Sequence, residues 1–211
     1  MNRGLVKSFL TDPRAGVCRA RWITLALIAI LGLTATAAGQ TSTTFPVPLP
    51  AQGPSDIIRG PDGNLWFTLR LSNSIGRITP AGTFTNFPTP TNPSRPRGIT
   101  VGPDGALWFT EHAAGKIGRI TTTGVITEFP IPGGASAPPR ITAGPDGALW
   151  FTLPRFGPAS IGRITTAGVI TEFPISGGGS PGGITTGPDG NLWFTNAGGG
   201  SGSAIGRITP S

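Results

Sequence analysis

His112 is the only histidine of the chain and stands directly after Glu111. A neutral imidazole can accept a proton near neutral pH, and a carboxylate beside it adds a negative charge and two acceptor oxygens. Arg70, Arg97, Arg140 and Arg155, with Asp56, form a second group of charged residues. Guanidinium groups grip carboxylate, phosphate or sulfate through paired hydrogen bonds. The single Cys, Cys18, excludes a disulfide framework and a Cys-based zinc site.

These residues stand out because they differ among copies of a repeat. Trp66, Trp108, Trp150 and Trp193 follow one another at 42, 42 and 43 residues, each within Leu-Trp-Phe-Thr. Gly-Pro-Asp-Gly precedes every one, at 60–63, 102–105, 144–147 and 187–190, and Ile-Gly-Arg-Ile-Thr follows, from Ile75, Ile117, Ile161 and Ile205. Two copies add Gly-Val-Ile-Thr-Glu-Phe-Pro, at 124–130 and 168–174. What recurs in every copy is read as scaffold. Asp62, Asp104, Asp146 and Asp189 belong to turns, and Arg77, Arg119, Arg163 and Arg207 to hydrogen bonds between strands. Glu128 and Glu172 are placed on an outermost, solvated strand.

In the second copy, Pro103-Asp104-Gly105 has the chemistry of a tight turn. It joins a strand at 99–101 to one at 107–110, and further strands are expected at 116–121 and 125–129. With 34 Gly and 23 Pro in 211 residues, helices have little room. Leu-Trp-Phe in succession needs burial on both faces, which one antiparallel meander cannot supply alone. A period of about 42 with four strands per unit indicates an all-β propeller of four four-stranded blades. Thr43-Thr44-Phe45-Pro46 resembles the start of a fourth strand, so an N-terminal strand is expected to close the last blade. A seven-bladed ring at this period needs roughly 290 residues. The alternatives are therefore a four-blade ring, an assembly of two or more copies, or a shortened relative of a longer protein.

In an antiparallel hairpin, residues equidistant from the turn face each other. Arg97 lies seven residues before Asp104 and Glu111 seven after it, so both are expected at the end opposite the turn. Asp56, Arg70, Arg140 and Arg155 fall near the same end of their own blades, and one rim is expected to collect them with Glu111 and His112.

Residues 1–38 carry a different signal. Arg3, Lys7, Arg14, Arg19 and Arg21 precede an uncharged apolar run beginning at Trp22, which ends in Ala35-Thr36-Ala37-Ala38. This is the pattern of a cleaved signal peptide, with cleavage expected after Ala37 or Ala38; an uncleaved membrane anchor is the alternative. Export to the periplasm or the cell exterior is expected, with no membrane association after cleavage. Five of the 16 basic residues and one of the nine acidic ones lie in this segment, leaving 11 and 8 for residues 39–211. That balance gives no support for nucleic-acid binding.

The unit G-P-D-G-x-L-W-F-T, followed by I-G-R-I-T and G-x-I-T-E-F-P, resembles streptogramin B lyase, also called virginiamycin B lyase, over about residues 43–211. The resemblance implies seven-bladed propellers that open the lactone of a cyclic depsipeptide antibiotic by elimination, with a bound magnesium ion. It also implies histidines in a Pro-His-Gly/Ala-Ile motif at the start of the first strand. Here that position holds Ser55, Arg97, Pro139 and Gly182. The family's Glu after Trp-Phe-Thr corresponds to Leu69, Glu111, Leu153 and Asn196. The expected function is an exported, non-catalytic relative that binds a small or anionic ligand on one propeller face. The alternative is a Mg²⁺-dependent lyase with Glu111 at the metal and His112 as base.

Overall fold

Four Gly-Pro-Asp-Gly turns set the framework. At each, the first glycine's carbonyl accepts the N–H of the last, as in Gly105 N to Gly102 O at 3.1 Å. Gly105 has φ +72°, which an L side chain rarely adopts. The turn aspartate then accepts the indole N–H of its own blade's tryptophan: Trp66, Trp108, Trp150 and Trp193 reach Asp62, Asp104, Asp146 and Asp189 at 2.9–3.0 Å. The computed structural model describes residues 40–48, 53–133, 137–154, 158–198, 200 and 202–210. Residues 1–38, expected to be a signal peptide, and Arg155 lie outside the described residues.

Fifteen strands make four antiparallel sheets. The first holds β1 (Pro54–Arg59), β2 (Leu65–Leu69), β3 (Ser74–Ile78) and β4 (Phe84–Pro88). The second holds β5 (Pro96–Val101), β6 (Leu107–Glu111), β7 (Lys116–Ile120) and β8 (Ile126–Pro130). The third holds β9 (Ile141–Ala143), β10 (Leu149–Leu153), β11 (Ser160–Ile164) and β12 (Ile170–Pro174). The last has three strands, β13 (Ser180–Thr186), β14 (Leu192–Ala197) and β15 (Ala204–Ile208). Among the described residues there is no helix. The chain thus carries propeller blades in sequence, with β1, β5, β9 and β13 as neighbouring inner strands.

The expected closing strand differs in its placement. Residues 40–48 form no strand and do not join β15. Pro46 and Pro48 remove two of the N–H groups a ladder would need.

Burial runs between blades. Trp66 and Ile75 pack with Ile99, Leu107, Phe109 and Ile120 of the second blade. Trp108 and Ile117 pack with Ile141, Leu149, Phe151 and Ile164, and Trp150 and Ile161 with Leu192 and Phe194. Each of these three tryptophans also stacks on the phenylalanine of its own fourth strand, Phe87, Phe129 or Phe173, with centroids 5.3–5.5 Å apart. A Cβ at Gly118 would meet the ring of buried Phe109. Gly118→Ala is therefore expected to cost about 1–3 kcal/mol in chemical denaturation, as overpacking does.

The repeated arginines have structural partners. Arg119 Nε donates to Asp104 Oδ2 at 2.6 Å and Arg163 Nε to Asp146 Oδ2 at 2.7 Å. All four guanidinium groups lie over their blade's tryptophan, 5.5–5.9 Å from the ring. In the first and last blades the second aspartate oxygen accepts instead from Asn64 or Asn191, where the middle blades have Ala106 and Ala148. Arg77 accordingly reaches Thr122 O of the next blade, and Arg207 stays 3.7 Å from Asp189.

Candidate functional site: an arginine pocket at the ends of the inner strands

The inner strands carry bulges, and the bulges set where side chains point. In the second blade Pro96 pairs with Glu111 and Ile99 with Phe109, so Arg97 and Gly98 together oppose Thr110. The partner of Glu111 is thus Pro96 and not Arg97, because the extra residue shifts the register. The same shift occurs between Pro54 and Ile57 and between Pro181 and Ile184.

Threonines of the Leu-Trp-Phe-Thr strands lock these bulges. Thr68 Oγ1 accepts from Asp56 N at 3.1 Å and donates to Arg97 O at 2.7 Å. Gly98 N donates to Thr110 Oγ1 at 3.0 Å, and Ile99 N to Asp56 Oδ2 at 3.1 Å. The backbone on both sides of Arg97 is therefore clamped, partly by the preceding blade. Asp56 acts here as an interblade latch.

The motif positions Ser55, Arg97, Pro139 and Gly182 all line one pocket of about 390 Å³, together with Arg70, Arg140 and Gly183. Three of the expected rim arginines thus converge. Burial first, then the positive charges of Arg70 and Arg140, lower the Arg97 guanidinium from its ordinary value. No ion pair joins Arg70, Arg97 or Arg140 to an acid among the described residues. His112 is half-buried. Burial, followed by the charges of Arg97, Arg70 and Arg95, lowers its pKa and favours the neutral imidazole.

Glu111 sits apart from this pocket. It is fully buried, and neither carboxyl oxygen has a hydrogen-bond donor partner among the described residues. Burial, with the charge of Glu128 adding to it, pushes its pKa up to about 8. Glu128 is not the solvated residue expected of an outer strand. Its carboxylate accepts from Thr91 N at 2.9 Å, Thr91 Oγ1 at 2.6 Å and Lys116 Nζ at 2.7 Å.

A magnesium ion is the cofactor that the lyase alternative requires, and these residues fit it poorly. The one carboxyl group after Trp-Phe-Thr favours its neutral form near neutral pH, and the Lys116 ammonium already neutralises its neighbour Glu128. No group of three potential ligands from His, Cys, Asp and Glu occurs among the described residues.

Two residues beside the expected rim also belong here: Ser55, known from the sequence only as a motif position, lines the pocket, and the charge of Arg95 acts on His112. Arg95 belongs to the loop between the first two blades and takes a left-handed backbone, φ 49°. Asn73 Oδ1 accepts its N–H at 3.0 Å.

Fold and site together define a repeat protein of propeller blades with a cationic pocket on one face. The sequence model of the virginiamycin B lyase family matches residues 14–211, and the chain belongs to that family. A selenomethionine-substituted virginiamycin B lyase from Staphylococcus aureus is 41% identical with a TM-score of 0.70, over 80% of this chain and 60% of that one. A streptogramin B lyase structure is 39% identical with a TM-score of 0.69, over 80% and 58%. This chain therefore spans about three-fifths of those lyases. A gluconolactonase from Xanthomonas campestris, 16% identical with a TM-score of 0.61 over 76% and 59%, shares the fold alone. No curated protein matches the chain.

Proposed function

We propose that this family member is an exported binding protein whose arginine pocket takes a small anionic ligand. The observation that carries the reading is the convergence of Arg70, Arg97 and Arg140 on one pocket with no ion-pair partner among the described residues. Cations held together by a clamped backbone repel one another until an anion enters. Guanidinium groups then supply paired donors to carboxylate, phosphate or sulfate oxygens. Residues 1–38 serve as the export signal in this reading.

Calorimetric titration with citrate, inorganic phosphate and sulfate tests it. Binding of at least one is expected, weakening as salt rises. The double variant Arg97→Ala, Arg140→Ala is expected to weaken it at least about tenfold, in line with charged hydrogen bonds of about 1.5–3 kcal/mol each. Unchanged affinity in that variant would remove the pocket from the reading.

One observation favours the lyase reading as a second: His112 is held towards the neutral form, first by burial and then by the charges of Arg97, Arg70 and Arg95. A neutral imidazole can remove a proton α to a carbonyl, and nearby guanidinium groups can stabilise the resulting negative charge. No step through magnesium follows from the donor set. Incubating the protein with a type B streptogramin and following retention and fragmentation at constant mass decides between the two, because elimination within a ring is an isomerisation. Opening that Arg97→Ala and His112→Ala both abolish would establish the second reading.

A further inference from the structure

Arg95 holds a backbone conformation that its residue type opposes. Its φ of 49° lies in the left-handed region, where a side chain other than Asn or Asp is uncommon and glycine carries no penalty. The fold enforces this conformation at several points. Asn73 Oδ1 accepts from both Ser94 N at 3.1 Å and Arg95 N at 3.0 Å. Ser94 is fully buried, and its hydroxyl meets that of Thr89 at 2.7 Å. Glycine would satisfy this backbone more readily. The position instead carries a long cationic side chain, exposed and with no ion pair among the described residues. Strain that a side chain's own packing does not offset collects at ligand-binding sites.

Register places Arg95 beside the arginine pocket. Pro96 pairs with Glu111, and Ala113 N donates to Ser94 O at 3.0 Å, so Arg95 stands across from His112 just beyond the last pair of β5 and β6. Arg97, two residues on, lines the pocket, as does Arg70. The charges of Arg97, Arg70 and Arg95 all act on His112, so positive charge continues from the pocket across His112 to Arg95. These residues all belong to the first two blades and the connection between them, whose cores pack on each other.

The geometry points to Arg95 as a second anion contact outside the pocket, and so to a ligand that carries two anionic groups on one body. The assignment rests on the anion-binding reading of the pocket. One group enters among Arg70, Arg97 and Arg140, and the other reaches Arg95 past His112. A compact anion fills the first position alone.

Calorimetric titration of the full 211-residue chain and of its Arg95→Gly variant tests this, with citrate and with inorganic sulfate at an ionic strength near ~0.15 M. The Debye length there is about 8 Å, so a charge that does not touch the anion has little effect. Arg95→Gly is expected to weaken citrate binding about fivefold to tenfold, the loss of one exposed charged contact, and sulfate binding by less than about twofold. The same variant is expected to hold Tm or raise it by up to about 3 °C, because glycine relieves the left-handed position. A merely structural arginine gives the opposite change in Tm. An unchanged citrate affinity overturns the proposal, as do equal losses for the two anions or a lowered Tm. A wild type that binds sulfate but not citrate also overturns it, and leaves the pocket reading standing. A wild type that binds neither removes the pocket reading, and this proposal with it.

Discussion

Replacing Glu111 by glutamine is expected to leave stability nearly unchanged at pH 4 and to raise it at pH 8.5 by on the order of 3 kcal/mol. For a domain of this size that is a rise of about 10 °C in Tm. Glu111 is fully buried, and its pKa of about 8 lies above the ordinary carboxyl value of 4.5. Between those two values the native state keeps a proton that the unfolded chain has released. Stability therefore falls as pH rises from about 4.5 to about 8 and levels off above it. Glutamine keeps the size and the neutral charge of the protonated acid, and it cannot ionise.

Glu128 works in the opposite sense. Burial opposes its ionisation, but hydrogen bonds from Lys116 and Thr91 outweigh this and lower its pKa. Its contribution is lost only in acid, as pH falls through that lowered value. Thermal melts of both proteins from pH 4 to 9 check the expectation. Parallel curves across the whole range would mean that Glu111 ionises normally and is solvated.

The history of Glu111 shows what the sequence carried and what it did not. Counting from the turn placed it at the correct end of its strand. It could not show that Thr91, on the connection from the first blade, and Lys116 meet beside it with Glu128. That cluster is tertiary, assembled from residues 12 to 37 positions apart. The bulge was equally invisible, because Arg97-Gly98 has no turn signature, and it moved the partner of Glu111 by one residue. The scaffold was far more legible. Its restraints are local: turn aspartates lie four residues before the tryptophans they bind. Comparing the four copies then separated structure from candidate site. Arg119 and Arg163, present in every copy, pair with turn aspartates. Arg70, Arg97 and Arg140, which vary, converge on a pocket.

The same internal comparison gives a stability experiment in which one blade is the control for another. Trp108→Ala is expected to cost about 3–5 kcal/mol, as buried aromatic truncations do. Its side chain is fully buried, stacks on Phe129 at 5.5 Å, donates to Asp104 and lies under Arg119. Trp193 keeps the hydrogen bond to Asp189 and the Arg207 contact, but it is only half-buried and has no stacked ring partner among the described residues. Trp193→Ala is therefore expected to cost only about 1–2 kcal/mol. Urea melts of both variants beside the wild type check the difference. Equal costs for the two tryptophans would mean that the Trp193 ring is covered as fully as that of Trp108.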